Sequence, residues 1–376
     1  IASQRIREIA GAGDTVARLG GDEFTVILSD PETRSRPAEI AARLVAALSA
    51  PFPILGREAI VTVSVGVAIS QGHHLRADDL LRAADIAMYQ AKERGRNGFV
   101  VFDESMRRMI AHRVELESDL QQAVTNGEFV LFYQPEIDLR SGRISGVEAL
   151  IRWNHPLHGL INPAEFIPLA EETGLIIPLG RWVIEEATRQ AREWMAQFPS
   201  SPLVMNVNLS ARQLQDRDLA SDICDTLRKH ELPGHMLRLE ITETTLMENR
   251  ESNIAALSSL RARGVQIAID DFGSGYSSLG YLKHFPVDVL KLDRSFIHDS
   301  QRPKQDDAII HAVTTLAHGL DITITIEGIE TRDQLARVKS MGCDRGQGYF
   351  FSRPLTPAQM PELLELEAPG VRPLPR

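Results

Sequence analysis

The sequence predicts an α/β protein: a C-terminal (β/α)8 barrel of the TIM-like kind, preceded by a smaller, partial α/β unit and a connecting helix. Three observations carry that expectation. From about Phe129 onward, eight short β-branched runs alternate with helical stretches over roughly 240 residues, the size and rhythm of such a barrel. Acids, amides and one lysine cluster at the C-terminal ends of these runs, and in a barrel those ends converge on one mouth. Ahead of them, residues 1–105 carry their own strands, helices and turns.

In chain order, Thr15 to Leu19 and Glu23 to Leu28 are strand-like runs flanking Gly20-Gly21-Asp22, a turn of the hairpin type. Ala38 to Leu48 has helical composition, and Ile60 to Ile69 is β-branched and alternating. Ala77 to Arg94 reads as an amphipathic helix that Gly95 ends. Asp103 to Val124 places Met106, Ile110, Val114, Leu120 and Val124 near helical spacing and closes at Asn126-Gly127. The expected boundaries are 1–105 for the first domain, 106–126 for a connecting helix and 127–370 for the barrel. The barrel strands are expected at Val130 to Tyr133, Gly146 to Leu150, Leu203 to Val207, Leu237 to Ile241, Val265 to Ile269, Val287 to Leu290, Thr323 to Ile326 and Gly348 to Phe351. Helices such as Ile167 to Met195 lie between them, with no Ser/Pro/Gly tract to mark a linker.

Composition narrows the function. The 376 residues hold 41 Lys plus Arg against 51 Asp plus Glu, a formal charge of −10. Polymeric nucleic acid is a poor partner for such a chain, because its binding rests on Lys and Arg replacing phosphate counterions. Cys224 and Cys343 lie far apart and form no CxxC, which suits buried thiols in a reduced compartment. The most apolar stretch, Val61 to Ile69, has strand length and is broken by Ser64 and Gly66, so neither a membrane span nor membrane contact is expected from this segment. No secretory signal pattern opens the chain. It begins at Ile1 rather than Met, so it is read as part of a longer, cytoplasmic or membrane-anchored protein.

The chemistry sits at the strand ends. Glu148, Asn208, Glu240, Asp270-Asp271, Lys291, Glu327 and Gln347 each interrupt an apolar run near its end, many at intervals close to one βα repeat. Glu, Asn and Asp are hard oxygen donors without His or Cys companions, a set that suits Mg²⁺ or Mn²⁺ over Zn²⁺. Five carboxylates in one cleft repel unless cations neutralise them, and two ions would also clamp the oxygens of a phosphoester. Asp270 and Asp271 are adjacent, so alternation aims one of them inward, and the other has to turn in with backbone freedom from Gly273 and Gly275. Lys291 is the one cation among these acids. It is either a buried structural ion pair or the group that orients an attacking water. His155-x-x-His158 lies in a Pro-containing loop, a poor metal site, and His311 and His318 sit seven apart on a helix without need of a role.

These residues carry a resemblance. GVEALIRWNHP, with Glu148-Ala149-Leu150, resembles the signature of EAL-domain cyclic-di-GMP phosphodiesterases, and the likeness runs over about 113–365. It includes YQP at 133–135, FIPLAEETG at 166–174, VNLS at 207–210, LEITET at 239–244, DDFGSGYSSL at 270–279, LKLDRSF at 290–296, EGIET at 327–331 and QGYFFSRP at 347–354. The resemblance implies a (β/α)8-like barrel whose first strand runs against the others, and cleavage of cyclic di-GMP to linear pGpG with two Mg²⁺ or Mn²⁺ ions. It implies metal ligands at Glu148, Asn208, Glu240, Asp270, Asp271 and Glu327, with Asp271 bridging the ions and Lys291 holding the water. Gln134, Arg152 and Gln347 match substrate contacts, Arg152 reaching a phosphate. Glu243 matches the glutamate that holds the DDFGSG loop. No catalytic position departs from the pattern.

The first hundred residues resemble the rear part of a GGDEF diguanylate cyclase domain, through RLGGDEF at 18–24, SVGVAIS at 64–70 and ADIAMYQAKERGRNG at 84–98. The signature is Gly20, Gly21, Asp22, Glu23 and Phe24. Asp22 and Glu23 match its metal and acid positions, and Lys92 and Arg96 match phosphate contacts for GTP. The family's opening βα units are not in this chain, and its inhibitory RxxD motif has Gly11 where the Arg belongs, with Asp14 retained. The leading expectation is therefore a metal-dependent cyclic-di-GMP phosphodiesterase, a homodimer, regulated by its GGDEF module. The alternatives are a cyclic-di-GMP receptor without turnover, or a bifunctional cyclase and phosphodiesterase in the full-length protein.

Overall fold

The computed structural model describes residues 1–30, 35–54, 57–59, 61–70, 76–247, 250–273, 282, 285–298 and 303–366. The chain divides into two compact units, Ile1–Leu116 and Glu117–Arg376, and the helix Glu104–Asn126 runs across that division.

In the first unit, β1 (Thr15–Gly20) and β2 (Glu23–Ile27) form an antiparallel hairpin, and Gly21 at its tip takes φ +51°, which glycine adopts at little cost. A second hairpin joins β3 (Phe52–Ile54) to β4 (Arg57–Ala59), while β5 (Ser64–Val67) pairs in parallel with β6 (Gly98–Val101). The strand expected over Ile60 to Ile69 is thus shorter among the described residues. Helix Ala77–Glu93 packs so tightly on β5 that a Cβ on Gly66 would lie 1.9 Å from the Ala84 carbonyl oxygen. Asp14 is a loop clamp: its carboxylate accepts from the backbone N–H groups of Gly11, Ser29 and Asp30 at 2.7–2.9 Å.

The second unit is an eight-stranded closed barrel. Its strands are β7 (Phe129–Asp138), β8 (Ile144–His155), β10 (Val204–Asn208), β11 (Leu237–Thr242), β12 (Gln266–Phe272), β13 (Val289–Leu292), β14 (Thr323–Ile326) and β15 (Arg345–Gly346). They pair in the order β10-β11-β12-β13-β14-β15-β7-β8, and β8 closes on β10, so no edge is left within the ring. β7 runs against both neighbours and the other pairings are parallel, as the family resemblance implied. A three-residue strand, β9 (Gly159–Ile161), adds to β8 outside the barrel.

Three expectations are corrected. The eighth strand is Arg345–Gly346, not Gly348 to Phe351: at Gly348 the chain presses against Ile329, whose carbonyl oxygen would lie 2.1 Å from an added Cβ, and then turns. The long helix read over Ile167 to Met195 is two, Pro163–Thr173 and Ile176–Gln197, because Gly174 ends the first at φ +83°. Glu148 lies in the middle of β8 rather than at its end, since β8 continues beyond the mouth to pair with β7 and β9.

The barrel floor is ionic. Glu136 and Arg238 are both fully buried and meet at 3.1 Å across the interior, from strands that are not neighbours. Glu136 also accepts from Arg345 at 3.1 Å and Thr325 at 3.0 Å, and Arg238 donates to Gln266. Burial alone would raise the Glu136 carboxyl, but the two guanidiniums and the bonds from Arg238 and Thr325 outweigh it and hold the pKa down to about 2. Outside the ring, Leu179, Ile184, Ala187, Ala191 and Trp194 make the buried stripe of helix Ile176–Gln197. No helix among the described residues is long and apolar enough to cross a membrane.

Candidate active site

At the opposite end, every barrel strand sends a side chain to one mouth. Gln134, Glu148, Asn208, Glu240, Asp270 and Lys291 stand on β7, β8, β10, β11, β12 and β13. Glu327 and Gln347 follow β14 and β15 by one residue, and their N–H groups still donate into the ladder, to Leu292 and Ile326.

Lys291 is the hub. Fully buried, its Nζ lies 2.5 Å from Glu327 Oε1, 2.8 Å from Glu240 Oε2, 3.2 Å from Asp270 Oδ1 and 3.8 Å from Glu148 Oε2. Burial disfavours its charge, yet the surrounding carboxylates outweigh burial and hold its pKa well above the ordinary lysine value. The acids answer the same environment in reverse. Burial, with Glu148 and Asp270 nearby, raises Glu240 well above the usual range despite Lys291. Burial and the same neighbours push Glu327 up to about 8, and Asp271 is raised by burial and by Asp270.

Glu148 is held from both sides: Asn208 Nδ2 donates to Oε1 at 2.8 Å and Gln347 Nε2 to Oε2 at 2.6 Å. Gln347 also donates to Gln134 Oε1 at 3.1 Å, and Gln134 in turn donates to the Ser352 carbonyl. Asp271 reaches the cluster by its own backbone, at φ +52°, where the β12–β13 register slips between Ile269 and Phe272. That conformation costs an aspartate on the order of 1 kcal/mol. Gly273, expected to give backbone freedom there, also takes φ +96°, and Gly275 lies outside the described residues. Asp270, Asp271 and Glu327 offer carboxylate oxygens that all fall within 4.8 Å of one another.

One ammonium among five carboxylates leaves the mouth short of positive charge. Glu240 Oε1 is buried without a hydrogen-bond partner. An orphaned carboxylate oxygen and an all-oxygen donor set fit a hard divalent cation.

Residues 117–354 match the family model described as EAL domain, well over half of the chain. The chain belongs to the EAL domain family. Ahead of the EAL domain, residues 1–98 match the model described as Diguanylate cyclase, GGDEF domain. MucR of Pseudomonas aeruginosa, described as a bifunctional diguanylate cyclase/cyclic di-GMP phosphodiesterase, is 42% identical over 359 residues, covering 95% of this chain and 52% of MucR. NbdA of the same organism, a cyclic di-GMP phosphodiesterase, is 38% identical over 364 residues, 97% of this chain and 46% of NbdA. The chain thus spans about half the length of these curated relatives. A solved structure described as PaMucR Phosphodiesterase, c-di-GMP complex, is 43% identical, with a TM-score of 0.63 over 65% of this chain and 99% of that one.

Within the EAL domain, Arg152 lies four residues beyond Glu148 on β8, about 13 Å along the strand at 3.3 Å per residue. It is half-buried, its guanidinium 5.6 Å from the Phe132 ring centre, donating to the Ile151 carbonyl. Glu243 Oε2 accepts from Gly273 N–H at 3.5 Å; the rest of that loop, 274–281, lies outside the described residues. His155 has no nitrogen to spare for a metal: Nδ1 accepts from the Leu157 and His158 N–H groups, and Nε2 faces Asp119 at 3.1 Å. In the GGDEF unit, Gly20, Gly21, Asp22 and Glu23 are exposed around the β1–β2 turn, with Phe24 half-buried. Lys92 and Arg96 are exposed at and just beyond the end of helix Ala77–Glu93.

Sequence reading missed the layer beneath the mouth. Glu136, Asn206, Arg238, Thr325 and Arg345 stand two residues from Gln134, Asn208, Glu240, Glu327 and Gln347. A period of two was the available signal, since residues two apart share one face of a strand.

Proposed function

We propose that this chain is a metal-dependent phosphodiesterase that hydrolyses cyclic di-GMP to linear pGpG. The observation that carries the reading is the gathering of Glu148, Asn208, Glu240, Asp270, Asp271 and Glu327 around Lys291 at the barrel mouth. Those six, Asp271 among them, would hold Mg²⁺ or Mn²⁺. Bound there, the ions would activate a water and neutralise charge on the phosphodiester. Lys291, the donor nearest Glu240 and Glu327, holds that water in line, and a mouth carboxylate such as Glu327 takes its proton as the O–P bond forms. The bond from phosphorus to the ribose 3′ oxygen breaks, that oxygen takes up the proton the carboxylate accepted, and the 5′ phosphate stays on the linear product. Gln347 fixes Glu148 with Gln134 behind it, both glutamines face the substrate, Arg152 offers a guanidinium to a phosphate, and Glu243 steadies the loop after β12.

The relatives support the substrate: MucR and NbdA carry cyclic di-GMP in their descriptions, and so does the solved complex. In the same reading the GGDEF unit is a regulatory module that meets GTP through Asp22, Glu23, Lys92 and Arg96, and the chain works as a homodimer. The test is incubation of the purified chain with cyclic di-GMP and Mg²⁺ or Mn²⁺, with products resolved by chromatography and an EDTA control. Metal-dependent pGpG is expected. Tight binding with unchanged dinucleotide would make the chain a receptor instead.

A further inference from the structure

One member of the layer beneath the mouth stands apart. Asn206 is fully buried, and neither its Oδ1 nor its Nδ2 has a hydrogen-bond partner. Asn208, two residues on along β10, donates to Glu148, so alternation turns Asn206 to the same interior one step lower. Strand register gives it two lateral neighbours, Glu148 on β8 and Arg238 on β11. Both are taken: Glu148 by Asn208 and Gln347, Arg238 by Glu136 and Gln266. Diagonally above, on β11, is Glu240, whose Oε2 receives Lys291 while its buried Oε1 has no hydrogen-bond partner. An unpaired amide therefore sits below an unpaired carboxylate oxygen, inside the same barrel.

A buried amide without partners is costly, and an apolar residue at this strand position would avoid the cost. The neighbouring wall is low on one side: Ala268, which pairs with Glu240 from β12, carries one methyl. An internal water needs two to four polar partners, and Nδ2 and Oδ1 of Asn206 with Oε1 of Glu240 supply three. We propose that Asn206 is a positioning residue, holding an internal water that donates to Glu240 Oε1 and fixes that carboxylate for the divalent cation. The water accepts from Asn206 Nδ2, donates one hydrogen to Glu240 Oε1 and can return the other to Asn206 Oδ1. The inference rests on reading Glu240 as a cation ligand.

The test is calorimetric titration of the full chain with Mn²⁺, in wild type and in Asn206→Leu, Asn206→Val and Asn206→Ser. Losing the outer partner of a metal ligand weakens the metal by about 10- to 100-fold. The two apolar variants should lose at least about tenfold in Mn²⁺ affinity while their unfolding midpoints hold or rise, and Asn206→Ser should stay within about threefold. A folded apolar variant with wild-type Mn²⁺ affinity overturns the role of Asn206. Glu240→Gln separates the two readings: if it binds Mn²⁺ as wild type does, the assignment of Glu240 as ligand fails. Should neither apolar variant fold, a high-resolution crystal structure of the wild type decides. A water bonded to both Asn206 and Glu240 supports the proposal, and a dry amide refutes it.

Discussion

Replacing Lys291 with methionine keeps most of the volume and removes the ammonium that, among the described residues, the mouth carboxylates gather around. Its Nζ sits within 3.2 Å of Glu240, Asp270 and Glu327, and it is wholly buried. Breaking a buried ion pair by deleting one partner costs about 3–5 kcal/mol, because the other charge is left uncompensated. Glu327, pushed up to about 8 by burial and its acidic neighbours, takes up a proton readily once the ammonium is gone and absorbs part of that loss, which favours the lower end of the range. At about 2–4 °C per kcal/mol for a domain of this size, the midpoint should fall by roughly 6–20 °C. Thermal unfolding in EDTA measures it. Saturating Mn²⁺ should recover much of the loss, since the cations then supply the missing positive charge. In activity assays kcat should drop by about 10²-fold or more while substrate affinity changes little, as expected of a group that acts on the water. A midpoint in EDTA within about 2 °C of wild type would refute the counterion argument. Collapsed affinity with kcat intact would make Lys291 a substrate clamp.

Glu148→Ala should abolish hydrolysis yet leave a folded protein. It gives up the bonds from Asn208 and Gln347 but relieves repulsion with Glu240, Asp271 and Glu327, and circular dichroism beside a pGpG assay checks both halves. Mn²⁺ binding at pH 7 should release protons, because the Glu327 carboxyl, pushed up to about 8, must ionise to bind; calorimetry in buffers of different ionisation enthalpy reads the number, and none released counts against the site. Glu136, held down to about 2 against an ordinary value of 4.5, contributes stability that is fully present above pH 4.5 and is lost as pH falls from there toward 2, about 3 kcal/mol in all. Denaturant unfolding across that window should show a shallower pH dependence in Glu136→Gln, and equal slopes would refute the assignment.

The mouth was legible because its residues break the pattern around them. Glu240, Asp270, Lys291 and Glu327 each follow a short apolar run, and seven such interruptions are hard to reconcile with helix caps. The position of Glu148 within β8 was not legible, since nothing in GVEALIRWNHP says that the strand continues past the mouth to carry a hairpin. The break at Gly174 was written in Thr173-Gly174, but the apolar period of the two helices runs through it. Asp271 could not be read either: its left-handed backbone is a tertiary outcome, tied to a register slip that only the paired strand reveals. The ionic floor was hidden for a different cause. Arg238, between Leu237 and Leu239, and Arg345, between Asp344 and Gly346, sit at strand starts, where a charged residue ordinarily marks solvent, and closure of the ring turns them to Glu136 instead.

That floor bears on the chemistry above it. A barrel of this kind is usually filled with branched apolar side chains, whereas this interior is polar from the floor to the mouth. Two guanidiniums meet one carboxylate at the floor, a net positive layer two residues, or about 7 Å, below the acids. Its field favours ionised carboxylates at the mouth, but at that distance it is too weak to settle five of them. Lys291 offsets one, so among the described residues the mouth carries a formal excess of four negative charges when all five are ionised. Protonation is one remedy, and burial with mutual repulsion moves Glu240, Asp271 and Glu327 in that direction. The proposed pair of divalent cations is the other, and its charge equals the excess. A single ion would leave two charges to be met by protons, and a protonated Glu327 could not take the proton of an attacking water. Charge balance thus favours two ions over one in the competent state, and a calorimetric stoichiometry of one Mn²⁺ per barrel at saturation, with full activity, would break that argument.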